Sequence, residues 1–270
     1  AEEDATRVWF AKTSKAIYSI PAIHSDGDFA SPPLPPPHWS LKYREPLRFH
    51  LERGRASYQA DVARCLELIS EGESYEICLT NRLRTNLGDG QLIDSLAVYR
   101  TLRLINPAPY AAYLRLGEDV AVCCSSPERF LRVRADRSVE SKPIKGTRPR
   151  GSSLEDDKLL AEDLRTSMKD RSENLMIVDL VRNDLGRTCH LGSVGVPILM
   201  EVETYASVHQ LVSTVCGDIA DCFSVVDCIR EAYPMGSMTG APKVRTMSLI
   251  DQLETSARGI YSGTIGYLSL

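Results

Sequence analysis

The chain has no apolar run approaching the roughly 20 residues that a membrane-spanning helix needs. It has no Arg-rich amphipathic start and no signal-peptide apolar core, so any targeting peptide is expected to lie outside it. It carries no large excess of one charge. Thirty-two basic against 36 acidic residues leave a formal charge of −4, which makes no case for nucleic acid or an anionic membrane as the main partner. Its eight cysteines form no CxxC pair and no zinc-ligand spacing. They read as reduced, buried thiols of a reducing compartment. No P-loop is present either. Three residues separate Gly236 from Gly240, and Ala241 and Pro242 follow, which argues against ATP binding.

What is there is an ordinary hydrophobic content, 43% of 270 residues, enough for one large or two small domains with a sizeable core. Residues 1–48 stand apart. Ser31 to His38 is a polyproline-type spacer, and Arg7 to Ile20 a short strand-like piece before it. This region reads as a linker with the remnant of a further domain, and residues 49–270 as the main domain. The spacing of Tyr58, Val62, Cys65, Leu66 and Ile69 predicts a helix within residues 51–71, followed by a strand over 75–85 and a helix over 92–105. Segments 110–116, 120–124, 129–133 and 138–142 predict a four-strand β-meander. Helices are expected over 154–165 and, from an N-cap at Ser167, to Leu185. A strand over 201–217, helices over 225–233 and 244–254, and a strand over 263–270 complete the pattern. Meanders and helices in alternating blocks argue an α+β fold.

Several side-chain groups stand out. Pro143 to Arg150 places Lys145 in what reads as a tight Pro/Gly-bounded loop among Lys142, Arg148 and Arg150. Nearby cations and partial burial favour a neutral, nucleophilic amine; the alternative is a solvated basic face. Glu128, 17 residues earlier in the meander, is an acid candidate beside Lys145, or a surface ion pair with Arg129 or Arg132. Asp170 and Glu173 share a helix face and can hold a hard cation such as Mg²⁺, or serve only as a first-turn dipole residue and a solvated one. His209 in an apolar strand is either catalytic or a satisfied core histidine. The Gly236–Lys243 turn offers backbone amides and the Ser237 hydroxyl to an anion such as a carboxylate.

The order of these groups resembles the synthase component of aminodeoxychorismate and anthranilate synthases, in the family of chorismate-utilising enzymes. The similarity runs over about residues 50–270 through Gly72 to Thr80, Asn106 to Tyr110, Ser126 to Phe130, Pro143 to Arg150, Lys169 to Asp184, His209 to Ser213, Pro234 to Lys243 and Arg258 to Gly263. It implies a sandwich of mixed and antiparallel sheets flanked by helices. Within that family the resemblance makes lysine at 145, where other branches carry alanine, the mark of the aminodeoxychorismate branch. There the lysine amine adds covalently to chorismate, and Glu128 matches the acid at the reacting ring. No lysine lies in Ile77 to Thr80, where the water-activating branches keep a base.

The resemblance further implies Thr147, His209, Ser237, Gly240 and Tyr261 as substrate-pocket positions, and Glu173 with Asp170 as Mg²⁺ ligands. Asn106, Pro107 and Tyr110 match a tryptophan-binding element. Ammonia must come from a glutamine amidotransferase, as a partner subunit or a fused domain, since no cysteine here has a Gly-x-Cys-x-Gly context. The wording from Ser74 to Thr80 looks like the fused plant and fungal group, which implies a plastid location in a plant or alga and a cytoplasmic one otherwise. The family also continues past Leu270 with an arginine for a substrate carboxylate and a further magnesium glutamate. The chain alone is therefore expected to be incomplete at the C-terminus and in catalysis. The competing expectations are an anthranilate synthase component and a non-catalytic fragment.

Overall fold

The computed structural model describes residues 48–87 and 93–269; the expected N-terminal spacer and strand-like piece, and the start of the helix at Leu92, lie outside them. Strands are β1 (His50–Leu51), β2 (Glu76–Ile77), β3 (Leu83–Arg84), β4 (Tyr110–Leu116), β5 (Val120–Ser126), β6 (Arg129–Val133), β7 (Ser138–Lys142), β8 (Ile144–Pro149), β9 (Gly195–Thr204), β10 (Val208–Asp218) and β11 (Gly240–Ala241). Helices are α1 (Arg55–Ser70), α2 (Ser95–Ile105), α3 (Leu154–Thr166), α4 (Met168–Gly186), α5 (Val225–Ala232) and α6 (Lys243–Leu253). All strand pairs among the described residues are antiparallel, as an α+β fold requires.

The main sheet is built around β10. Its C-terminal half pairs with β7 and its N-terminal half with β8, while β9 lies along its other edge and β6 extends the sheet beyond β7. β7 and β8 are one run of chain broken at Pro143, which has no N–H for the ladder but whose carbonyl accepts from the N–H of Ser213 at 3.1 Å.

Helix α4 packs on this sheet. Its Ser167 N-cap accepts from the N–H of Asp170, as the sequence predicts. Val178 and Leu185 join Val139, Val215, Ile219, Cys189 and Cys228 in the core; full burial of each aliphatic side chain contributes about 1.5–3 kcal/mol. Fully buried Asn174 fixes the helix in register. Its Nδ2 donates to the Leu211 carbonyl at 3.1 Å, and its Oδ1 accepts from Ser213 at 2.5 Å.

Six expectations change. The meander is two hairpins in separate sheets, β4–β5 and β6–β7, because Pro127 interrupts the ladder between Ser126 and Arg129. The Lys145 loop is strand β8. The strand over 75–85 shrinks to two-residue β2 and β3, whose partners β11 and β1 are distant in sequence. The strand over 201–217 is the β9–β10 hairpin, turning where the Tyr205 N–H donates to the Val208 carbonyl. Residues 263–269 have no ladder partner among the described residues and form no strand. The thiols are all free, but only Cys65, Cys189 and Cys228 are buried and Cys222 is exposed.

Candidate active site

Contacts rather than simple alternation sort the basic cluster of β8, because the ladder with β10 shifts register beside Gly146. Gly146 and Arg148 face the helices. Arg148 donates to Asp163 of α3 at 2.6 Å and to Asp170 of α4 at 3.0 Å. A Cβ at Gly146 would lie 2.9 Å from both Leu164 Cδ1 and Asp170 Cβ, and its φ of +91° favours glycine. Thr147 faces the opposite way from Arg148, and Lys145 lies where the ladder with β10 shifts register. There the Lys145 ammonium donates to a carboxylate oxygen of Glu76, on β2. The expected neighbourhood of cations is therefore absent around Lys145. Lys142 pairs with Glu203, Arg148 with the two aspartates, and Arg150 with Asp157.

Glu128 follows Pro127 at the β5–β6 break. It keeps part of its surface open, but its carboxyl lies deep, and burial pushes it up to about 7 against the Ser237 hydroxyl, the Lys145 charge and the Ile144 N–H, all of which favour the anion. The Ile144 contact places the carboxyl beside the residue that precedes Lys145. Ser237 Oγ donates to Glu128 Oε2 at 3.2 Å. The acid candidate thus feels the charge of the amine candidate and is bonded to Ser237. Glu128, Ser141, Asp184, Gly236 and Ser237 line a cleft beside it.

The segment carrying Ser237 is clamped at both ends by one ammonium. Lys243 donates to Asp184 Oδ2 at 2.6 Å and to the Ala232 carbonyl at 2.9 Å, joining α4, α5 and α6. Burial pushes Asp184 up to about 6 despite this partner. A Cβ at Gly236 would collide with Leu180 of α4, and one at Gly240, where φ is +132°, with the Glu76 carbonyl. The β2–β11 ladder that seats Glu76 therefore depends on glycine at 240.

The remaining candidates scatter. His209 is 2% exposed and turned to the helix face. Nδ1 meets Thr204 and Nε2 meets Asp157, each at 2.9 Å. Arg150, the Gly151 N–H and then His209 hold Asp157 well below the usual carboxylate range. Asp170 accepts from Arg148, whereas Glu173, one turn on, has Lys169 at 3.9 Å. Tyr261 lines a different cleft, of about 370 Å³, with Arg53, Thr80, Glu254 and Arg258. Asn106 caps α2, its carbonyl accepting from Ser125, and Tyr110 opens β4.

Sequence reasoning missed two participants: Glu76 and the Asp184–Lys243 pair. Only Glu76 left a signal, as a charged residue in a strand-like run.

Comparison with known proteins settles the family. The family model for chorismate binding enzyme matches residues 6–270. The chain belongs to the chorismate binding enzyme family. Among curated members of the chorismate binding enzymes, the chain is 57% identical to the aminodeoxychorismate synthase of Streptomyces pristinaespiralis, over 83% of this chain and 30% of that protein. It is 52% identical to the probable chloroplastic aminodeoxychorismate synthase of Oryza sativa subsp. japonica, over 82% and 25%. It is 43% identical to anthranilate synthase component 1 of Thermus thermophilus, over 82% and 47%. The crystal structure of anthranilate synthase component I from Streptococcus pneumoniae superposes with a TM-score of 0.76 at 30% identity, covering all of this chain and 55% of that one. The chain thus spans about a quarter to a half of the length of these curated relatives. Among the described residues no helix is long and apolar enough to cross a membrane.

Proposed function

We propose that this chain carries the chorismate-aminating site of an aminodeoxychorismate synthase, with Lys145 as covalent nucleophile, Glu76 as its proton acceptor and Glu128 as the acid. The observation that carries this reading is the seating of the Lys145 amine on one carboxylate, beside a second carboxyl that burial keeps substantially protonated at neutral pH. The higher identity to aminodeoxychorismate synthases than to the anthranilate synthase supports it, as does lysine rather than alanine at 145.

In the first step Glu76 takes a proton from Lys145. The amine bonds to C2 of chorismate, the ring double bond shifts, and the C4–O bond breaks. The hydroxyl leaves as water with the Glu128 proton. In the second step ammonia bonds to C4, the double bond shifts back, and the C2–N bond breaks. Glu128 recovers a proton from the new C4 ammonium, and Lys145 recovers its own from Glu76. Chorismate and ammonia have become 4-amino-4-deoxychorismate and water, and both carboxyls are reset.

Magnesium, when bound, would neutralise a substrate carboxylate. Among the described residues no group of three metal-ligating side chains gathers. Glu173 would supply one carboxylate, which suits an ion that keeps several waters; Asp170 is committed to Arg148. Ammonia is proposed to come from a glutamine amidotransferase partner or domain, and a plastid is the proposed location in a plant or alga.

The test uses the protein in its full natural length. Chorismate without ammonia should add mass at Lys145, and added ammonium chloride should then yield aminodeoxychorismate. Fluorescent anthranilate with pyruvate, and no adduct, would overturn the reading.

A further inference from the structure

The family resemblance marks Ser237 as a substrate-pocket position, yet its hydroxyl is already engaged. Ser237 Oγ donates to Glu128 Oε2 at 3.2 Å. A serine has one O–H proton, so none is left for a carboxylate of chorismate. Among the described residues it is the one side chain that hydrogen-bonds the Glu128 carboxyl.

The turn that carries the serine is held from three sides. Gly236 lies against Leu180, where a Cβ would collide. The Met238 carbonyl accepts from Arg258, and the Thr239 carbonyl accepts from the Cys78 N–H at 2.9 Å. The hydroxyl therefore reaches Glu128 from a fixed backbone. Lys145 and the Ile144 N–H also face this carboxyl and favour its anion, while burial opposes them. Asp184, with Lys243 on it, lines the same cleft. A hydroxyl donating to a carboxylate makes a charge-assisted bond, roughly twice as strong as one between neutral groups. It stabilises the anion that the acid becomes once its proton is given up.

We infer that Ser237 is a positioning residue for Glu128: it holds the carboxyl in place and sets the pH at which the acid keeps its proton, rather than binding substrate. This rests on the proposed amination, in which Glu128 protonates the departing hydroxyl.

The test follows Lys145 adduct formation against pH in the protein of full natural length, with chorismate present and ammonia withheld. The rate should fall as pH rises and Glu128 ionises, because the anion has no proton to give. Ser237→Ala leaves that anion less stable, so the fall should move up by about one pH unit. The rate on the acid side of it should drop about tenfold. The chorismate KM, with ammonium chloride as the nitrogen source, should stay within about twofold of the parent. Ser237→Thr, which keeps the hydroxyl, should return the fall to the parent's pH. A fall that does not move in Ser237→Ala would overturn the inference, and a raised chorismate KM beside it would return Ser237 to the substrate.

A second measurement needs no turnover. Ser237→Ala should melt close to the parent at pH 5, where Glu128 is protonated, and below it at pH 8, where Glu128 is ionised. Adding Glu128→Gln to both proteins should erase that pH dependence. Asp184 titrates in the same range but is common to both, so it drops out of the difference. A melting difference equal at pH 5 and pH 8 would also overturn the inference. A parent protein that forms neither adduct nor product would sink the proposed function beneath it, and the melting comparison would still decide what Ser237 does to Glu128.

Discussion

Ser237 and Glu128, 109 residues apart in the chain, meet through a 3.2 Å hydrogen bond in which the serine hydroxyl donates to the carboxylate. That contact lowers the proton affinity of a group that burial has raised to about 7. It also joins the Gly236 turn to the start of β6, so the acid is held from two parts of the fold.

The pH behaviour of Glu128 is a direct consequence. Its folded pKa of about 7 exceeds the ordinary value of 4.5, so between those values the native state binds more protons than the unfolded one. Stability contributed by the protonated form is complete below about pH 4.5 and is lost as pH rises through about 7, up to about 3 kcal/mol in all. Glu128→Gln should therefore raise the melting temperature at pH 8 relative to the parent, with the difference shrinking below pH 5. Its turnover should fall at least about 100-fold. In the parent, turnover should decline above pH 7. A difference in melting temperature that does not depend on pH would refute this assignment.

Removing the Lys145 amine should stop adduct formation outright. Lys145→Ala also leaves Glu76 without its partner, which costs some stability in the half-buried site. Mass spectrometry after incubation with chorismate should detect no added mass in this variant. Amination at a rate close to the parent's would exclude the covalent route.

Lys243 tests how far a buried pair supports the cleft. Lys243→Met leaves Asp184, 8% exposed, without its cation, and deletion of one partner of a buried pair costs about 3–5 kcal/mol. Lys243→Met combined with Asp184→Leu should recover most of that loss in a chemical denaturation series. If the double variant is no more stable than the single one, the clamp holds the 233–242 segment by something other than charge.

Gly240→Ala should be among the most damaging conservative changes. The new Cβ would press on the Glu76 carbonyl at a φ that side chains rarely adopt, for about 3 kcal/mol or more. Because β11 seats β2, the Lys145–Glu76 contact should loosen as well. A melting temperature within about 2 °C of the parent would show that the ladder yields without cost.

Much of this was legible from local signals. Helices α3 and α4 announced themselves through apolar spacing and the Ser167 cap, because their hydrogen bonds close within four residues. β8 did not, since a segment that reads Pro-Ile-Lys-Gly-Thr carries turn residues and becomes a strand only against β10, about 60 residues on. β2 escaped bounding for the same reason, its partner lying some 160 residues away. The basic cluster misled because Lys145, Arg148 and Arg150 each find acidic partners on different elements, while a loop reading leaves them together.

The amino-acid sequence alone determined the α+β class, the helices, and the ordered motifs that mark the chorismate binding enzymes, including a lysine at 145 and a glutamate at 128. The tertiary structure alone decided that Lys145 meets Glu76, that Glu128 is deep enough to hold its proton near neutral pH, and that His209 turns to the helices. Motif order is written in covalent sequence. Which side chains face each other depends on the pairing of distant strands, and a shift of one residue there would send each of them to the opposite face.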